Sequence, residues 1–155
     1  MVDAHSAPKV IRSSADKTGV MRTLIVEDDF MSRLVLQRLF SRYGECHMAV
    51  NGREAVEAFR CAHENKNPYE LICMDIMMPE MDGHMALKQI RDLEEANQVL
   101  FSDRVKVIMT TALDDVRTVM DSFKGLCDAY LIKPIDVAKL LEHVRSFQLD
   151  LTPTR

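Results

Sequence analysis

Several features that would direct a reading elsewhere are missing from this 155-residue chain. Its four cysteines, Cys46, Cys61, Cys73 and Cys127, form no CxxC pair and keep no zinc-like spacing with the histidines. That argues against a metal knuckle or a disulfide scaffold, and leaves free, mostly buried thiols in a reducing compartment. No run approaches the roughly 18 consecutive apolar residues of a membrane span. The first twenty residues, MVDAHSAPKVIRSSADKTGV, hold no apolar block long enough for a signal peptide. A cytoplasmic protein without membrane contact is the expectation. Positive charge is not in excess: 20 Lys and Arg against 24 Asp and Glu leave a net charge of -4. No general polyanion-binding surface follows, so direct nucleic-acid binding is not expected. A glycine-rich or hydroxyl-rich loop after the first strand candidate is also missing, which disfavours a flavin or dinucleotide module.

What is present suits one domain with a single core: 47% hydrophobic and 28% charged residues in an ordinary globular length. Residues 1 to about 20 are rich in Ser, Ala, Lys and Asp without periodicity and read as a flexible leader. From Met21 onward, short apolar runs alternate with helical patterns. Thr23 to Val26 is a strand candidate, followed by Met31, Leu34, Val35 and Leu39 at helical spacing, with Gly44 as the stop signal. A second strand covers about Cys46 to Val50. Ala55, Val56 and Phe59 then share a helix face, and the polar stretch HENKNP leads to an apolar run over Tyr69 to Met78.

A helix from about Gly83 to Ala96 and a strand over Val105 to Met109 follow. Asp114 and Asp115 precede a fourth helical pattern in Val116, Val119, Met120 and Phe123. Tyr130 to Ile132 is the last strand, and Asp136 caps a final helix with Leu140, Leu141, Val144 and Phe147 on its buried stripe. Five strands alternating with five helices predict a doubly wound α/β fold, a parallel sheet covered on both faces.

One acid is out of place in this pattern. Asp75 falls inside the apolar third strand, where an ionised carboxylate is costly unless paired, neutralised or metal-bound. In open α/β sheets ligands bind outside the carboxyl ends of the strands. At that edge the sequence places Glu27 and Asp28 after strand one, Asp75 on strand three, Thr110 and Thr111 on strand four, and Lys133 on strand five. Clustered carboxylates repel, so a proton or a cation must share their site. All-oxygen ligation with open positions suits Mg²⁺ beside a phosphate. A metal and a lysine on one rim suit phosphoryl transfer, and a carboxylate can itself become an aspartyl phosphate. Asp75 is the candidate nucleophile.

Simpler readings compete residue by residue. Glu27, Asp28 and Asp29 equally suit the first turn of a helix. A lone threonine is ordinarily a strand residue, and a lone Lys133 a solvated charge. Met74, Met77, Met78 and Met81 read as core filling or adaptable packing. His47, His63, His84 and His143 lack ligand spacing and read as surface or structural residues. It is the joint placement on successive strand ends that favours a site.

With these pieces together, the sequence resembles the receiver domain of two-component response regulators. LIVEDD with Arg33 after it, MDIMMPEMDG, IMTTA and YLIKP carry the resemblance, over Met21 to about Gln148. It implies that Asp75 accepts a phosphoryl group from a phosphohistidine on a sensor histidine kinase or histidine phosphotransfer protein. Glu27 and Asp28, Asp75 and the backbone carbonyl of Met77 would hold Mg²⁺, with Asp29 at the next, non-ligand position. Lys133 would bind the phosphoryl group, and Lys133-Pro134 is a candidate cis peptide. The switch hydroxyl is followed in the family by a small residue, which selects Thr111-Ala112 and keeps Thr110 as the fallback. Tyr130 matches the aromatic that swings inward when that hydroxyl engages.

The resemblance implies a signalling phosphoacceptor rather than a turnover enzyme. The switched surface would lie around the fourth helix, strand five and the last helix, and would bind a downstream protein or a second copy of the chain. Aspartyl phosphatases on a similar sheet carry a second aspartate two residues after the nucleophile, and Met77 stands there instead. Met77 and Leu113, two residues after Asp75 and Thr111, offer no help to a hydrolytic water, so slow self-dephosphorylation is expected. The expected boundaries are a leader over 1–20, the receiver over 21–149 and a tail over 150–155, acting as a stand-alone unit. One departure stands out: DLEEANQVLFSD, before strand four, is longer than the usual receiver connection.

Overall fold

The computed structural model describes residues 19–112 and 125–155. Along them run β1 (Met21–Val26), α1 (Phe30–Phe40), β2 (Gly44–Ala49), α2 (Gly52–Glu64), β3 (Leu71–Asp75), α3 (Gly83–Ala96), a 3-10 turn (Phe101–Asp103), β4 (Lys106–Thr111), β5 (Ala129–Ile132) and α4 (Val137–Ser146). The strands form one five-stranded sheet in the order β2-β1-β3-β4-β5, with every pairing parallel. Four α-helices lie among the described residues. The helix expected after Asp114 falls on residues 113–124, outside them.

Side chains alternate across each strand, and this divides the core into two layers. Leu24 and Val26, Ile72 and Met74, Val107 and Met109 meet α2 and α3 through Ala55, Val56, Phe59, Ala86, Leu87 and Ile90. Met21 and Ile25, Leu71 and Cys73, Ile108 and Leu131 meet α1 through Leu36 and Phe40 and α4 through Leu140 and Val144. Each helix starts on a side-chain cap that takes an otherwise unpaired N–H: Asp29 for α1, Asn51 for α2, Asp82 for α3 and Asp136 for α4.

Several expectations shift. Gly44 does not stop α1, which ends at Phe40; it opens β2, where a Cβ would lie 1.8 Å from the carbonyl oxygen of Met21. β3 is shorter than the apolar run around it, because the chain leaves the sheet at Asp75. β4 reaches two residues further than expected and includes both threonines. Only Cys73 among the cysteines is fully buried; Cys61 is exposed and Cys46 and Cys127 are half-buried. Met77 is not core filling, with 64% of its surface exposed.

The long connection before β4 both extends α3 and folds back on it. Helix α3 reaches Ala96, Gln98 turns in the left-handed region at φ 56°, and Glu94 accepts the Val105 N–H at 2.7 Å. After α4 the chain also stays on the domain. Leu149 and Leu151 pack on the α1–α4 layer, and the Thr154 N–H donates to the Arg42 carbonyl at 2.8 Å. No helix of the described residues is long and apolar enough to cross a membrane.

Candidate functional site

The strand alternation that builds the core also aims the polar groups. Glu27, Asp75 and Lys133 each stand two residues beyond a core residue of the α1–α4 layer, namely Ile25, Cys73 and Leu131. They therefore leave the sheet on one side and meet over its carboxyl edge. Lys133 Nζ donates to Glu27 Oε2 at 2.8 Å and to Asp75 Oδ2 at 3.0 Å. Glu27 is 1% exposed and Asp75 5% exposed, so both carboxylates rely on protein partners or a bound ion. Asp28 is exposed beside them, and one oxygen from each of Glu27, Asp28 and Asp75 lies within 4.8 Å of the others.

The three acids after β1 divide between the two readings open to them. Asp29 is the helix cap, accepting from the Ser32 N–H at 2.8 Å. Glu27 and Asp28 belong to the cluster. The Asp29 N–H also donates to Glu27 Oε1 at 3.2 Å, so the cap and the buried acid are wired together.

Local backbone fixes the acceptor strand's exit. The Met77 N–H donates to Asp75 Oδ1 at 3.3 Å. A Cβ on Gly83 would sit 2.4 Å from the Asp75 carbonyl oxygen, so only glycine lets the start of α3 close on the strand end. The loop between them is braced from α2. The Gly52 N–H donates to the Met81 carbonyl at 3.1 Å, and Asn51 Nδ2 reaches Glu80 Oε2 at 3.4 Å. Glu80 itself is left-handed at φ 65°. Sequence reasoning missed these braces; the Asp82-Gly83 pair at the helix start was the available signal.

The remaining predicted residues flank the cluster. Thr110 pairs with Asp75 in the strand register and Thr111 with Ile132, and both threonines are buried. Thr111 Oγ1 donates to the Ala112 carbonyl at 3.3 Å. The Lys133-Pro134 peptide is cis. Tyr130 is half-buried against the α2–α3 layer, and burial together with neighbouring Cys127 pushes its hydroxyl pKa up.

The electrostatics is that of an under-neutralised cluster. Burial pushes the Glu27 carboxyl above its ordinary range, the Asp75 charge adds to this, and the Lys133 hydrogen bond offsets only part. For Lys133, burial alone would lower the pKa, but its bonds to Glu27 and Asp75 outweigh that and hold it above the ordinary value. One ammonium shared between two buried carboxylates, with Asp28 beside them, leaves negative charge over. A hard divalent cation with oxygen ligands fits that donor set, and Mg²⁺ is the ion that also keeps positions open for a phosphate.

A parallel sheet of this order with acids and a lysine at its carboxyl edge makes an acidic pocket suited to a cation beside a phosphate. Comparison with known proteins gives the family. The model of the response regulator receiver domain matches residues 23–145. The chain is 37% identical over 124 residues to the regulatory protein AtoC of Escherichia coli (strain K12), which covers 79% of this chain and 24% of AtoC. It thus spans about a quarter of that relative's length. Its fold matches CheY in the CheX-CheY-BeF3-Mg²⁺ complex of Borrelia burgdorferi with a TM-score of 0.68 and 28% identity, over 84% of this chain and 90% of that one. The receiver domain of Ssk1, solved with the histidine phosphotransfer protein Ypd1 of Saccharomyces cerevisiae, matches with a TM-score of 0.68 and 27% identity, over 83% and 89%.

The chain belongs to the response regulator receiver domain family. As a receiver domain it is a signalling phosphoacceptor, and its Glu27, Asp28 and Asp75 carboxylates form an acidic cluster that could hold a metal ion.

Proposed function

We propose that Asp75 is the residue that takes the phosphoryl group, from a phosphohistidine of a histidine kinase or phosphotransfer protein. The observation that carries this is the position of Asp75. It is buried at the end of β3, bonded to Lys133, and within reach of two further acids on β1's exit. A carboxylate oxygen of Asp75 attacks phosphorus in line, the phosphorus–nitrogen bond breaks, and the imidazole departs as a neutral ring because its other nitrogen already carries a proton in the donor. Lys133 shifts from the carboxylates toward the phosphoryl oxygens, and Thr111 binds one of them. Glu27, Asp28, Asp75 and the Met77 carbonyl would hold Mg²⁺, which when bound neutralises charge developing on the transferring group.

When Thr111 engages the phosphoryl group, Tyr130 swings inward. This biases the surface around β5 and α4 between two states, and the fourth-helix part of that surface falls on residues outside the described ones. That surface then binds a downstream protein or a second copy of the chain. The Ypd1 complex of Ssk1 and the CheX complex of the Borrelia CheY support protein partners of this kind. We assign residues 21–149 to the receiver, and the following residues pack back on it through Leu151 and Thr154.

The test is incubation with acetyl phosphate and Mg²⁺, followed by intact-mass analysis of wild type and Asp75→Ala. A single phosphoryl adduct is expected on the wild type and absent from the variant. The same adduct on both overturns the assignment. Decay of the adduct after removal of the donor is expected over minutes or longer, since the exposed side chain of Met77 offers no polar group to a hydrolytic water.

A further inference from the structure

The last register pairs of β1 are Val26 with Ala49 and Val26 with Met74, and beyond them Glu27 keeps only its N–H on the sheet, donating to the Ala49 carbonyl at 3.1 Å. The carbonyls of Glu27 and Asp28 therefore need other partners. Both are taken by one side chain. Arg33 Nη1 donates to the Glu27 carbonyl at 2.8 Å and to the Asp28 carbonyl at 3.3 Å, from a position one turn into α1. The guanidinium is further located by the Phe30 ring, 5.7 Å from its carbon to the ring centroid. The Arg33 N–H meanwhile closes the first helical turn on the Asp29 carbonyl at 3.0 Å.

The two cations near the cluster thus divide their work. Lys133 bonds the carboxylates of Glu27 and Asp75. Arg33 bonds the backbone that carries Glu27 and Asp28. Those two side chains repel each other and Asp75, and the backbone between them is the element that repulsion would spread. A planar guanidinium can hold two carbonyls at a fixed angle; a lysine ammonium would supply charge without that geometry.

We propose that Arg33 is a positioning residue for the metal pocket: it fixes the β1–α1 turn so that Glu27 and Asp28 converge on one cation. The inference rests on the reading of this acidic pair as metal ligands. Groups that orient metal ligands from behind typically change affinity by about 10–100-fold when removed. For a grip on backbone rather than on the ligating groups, the lower end of that range applies.

The experiment is calorimetric titration of Mg²⁺ into the metal-free full chain, for wild type, Arg33→Ala and Arg33→Lys, with the metal-free thermal midpoint measured alongside. Arg33→Ala is expected to bind Mg²⁺ about tenfold more weakly, with Arg33→Lys in between. Adduct formation from acetyl phosphate should be restored in both variants by raising Mg²⁺. An Mg²⁺ affinity of Arg33→Ala equal to wild type overturns the inference, whatever happens to the thermal midpoint, because a merely structural arginine would move only the latter. Should Arg33→Ala fail to fold, Arg33→Lys decides: wild-type affinity overturns the inference and weaker affinity supports it. Failure of the Asp75 assignment is read separately, by an adduct on Asp75→Ala, and leaves the Mg²⁺ titration interpretable.

Discussion

Two buried clusters of charge sit at opposite ends of the sheet, and they are built on opposite principles. At the carboxyl edge, Glu27 and Asp75 share one Lys133, with Asp28 alongside. At the amino edge, Glu94 is 1% exposed and accepts from the Val105 N–H at 2.7 Å and from Arg91 Nη1 at 2.7 Å, with Arg104 3.9 Å away. Arg91 also donates to the carbonyls of Val105 and Leu126 and to Asp128. In turn, Asp128 accepts the Val107 N–H at 2.8 Å. The amino-edge network meets its acids with arginines and backbone donors. The carboxyl-edge cluster is short of positive charge, a deficit that a bound cation would fill. Burial of an acid does not by itself mark a site; burial without enough partners does.

The largest expected effect tests the balanced end. Glu94→Ala leaves Arg91 without its main carboxylate and the Val105 N–H unsatisfied, so we expect a loss of about 3 kcal/mol in denaturant unfolding. At the other end, Asp75→Asn removes one charge from a crowded cluster and should stabilise the metal-free protein slightly. Equal losses in the two variants would erase the contrast.

Next in size is the response to metal. Mg²⁺ at 100 times its dissociation constant should stabilise the wild type by about 2.7 kcal/mol. That gain should disappear in Glu27→Gln and Asp28→Asn, and persist in Glu94→Gln whatever its basal stability. A full Mg²⁺ response in Asp28→Asn would remove Asp28 from the pocket.

The smallest effect is in pH. Burial holds the Glu27 pKa above its ordinary value, so folding favours its protonated form. In the metal-free protein its contribution to stability is present below the ordinary carboxylate value and is lost as pH rises through the raised one. With Mg²⁺ the sign reverses, because protons and metal compete for the same carboxylate. The difference between wild type and Glu27→Gln across mildly acidic pH, with and without Mg²⁺, reads both signs. Identical profiles for the two proteins would show that Glu27 does not titrate at the site.

Much of the carboxyl edge was legible because its signals are local. Asp75 interrupts an apolar strand, and Lys133-Pro134, Thr111-Ala112 and Glu27-Asp28 each end a strand of their own. The amino edge was not legible. Glu94 lies in DLEEA, which reads as a solvated helix face, and its partners Arg104 and Val105 are 10 and 11 residues away along the chain. Only the Arg91–Glu94 spacing, three residues apart on a helix, hinted at a pair. Gly44 was misjudged for a similar reason: glycine stops helices, but here it admits the Met21 backbone of the neighbouring strand.

By itself the sequence determined the alternation of strands and helices and the residue types at each strand end, because periodicity and composition act over a few neighbours. Only the tertiary structure decided which acids became ligand candidates, which became caps and which were neutralised. Asp29 bonds the Ser32 N–H, Glu27 and Asp75 divide Lys133, and Glu94 meets arginines. The physical reason is that the charge state and role of a carboxylate depend on its distance to other charges and its loss of water. Both are settled only when strands far apart in sequence lie side by side.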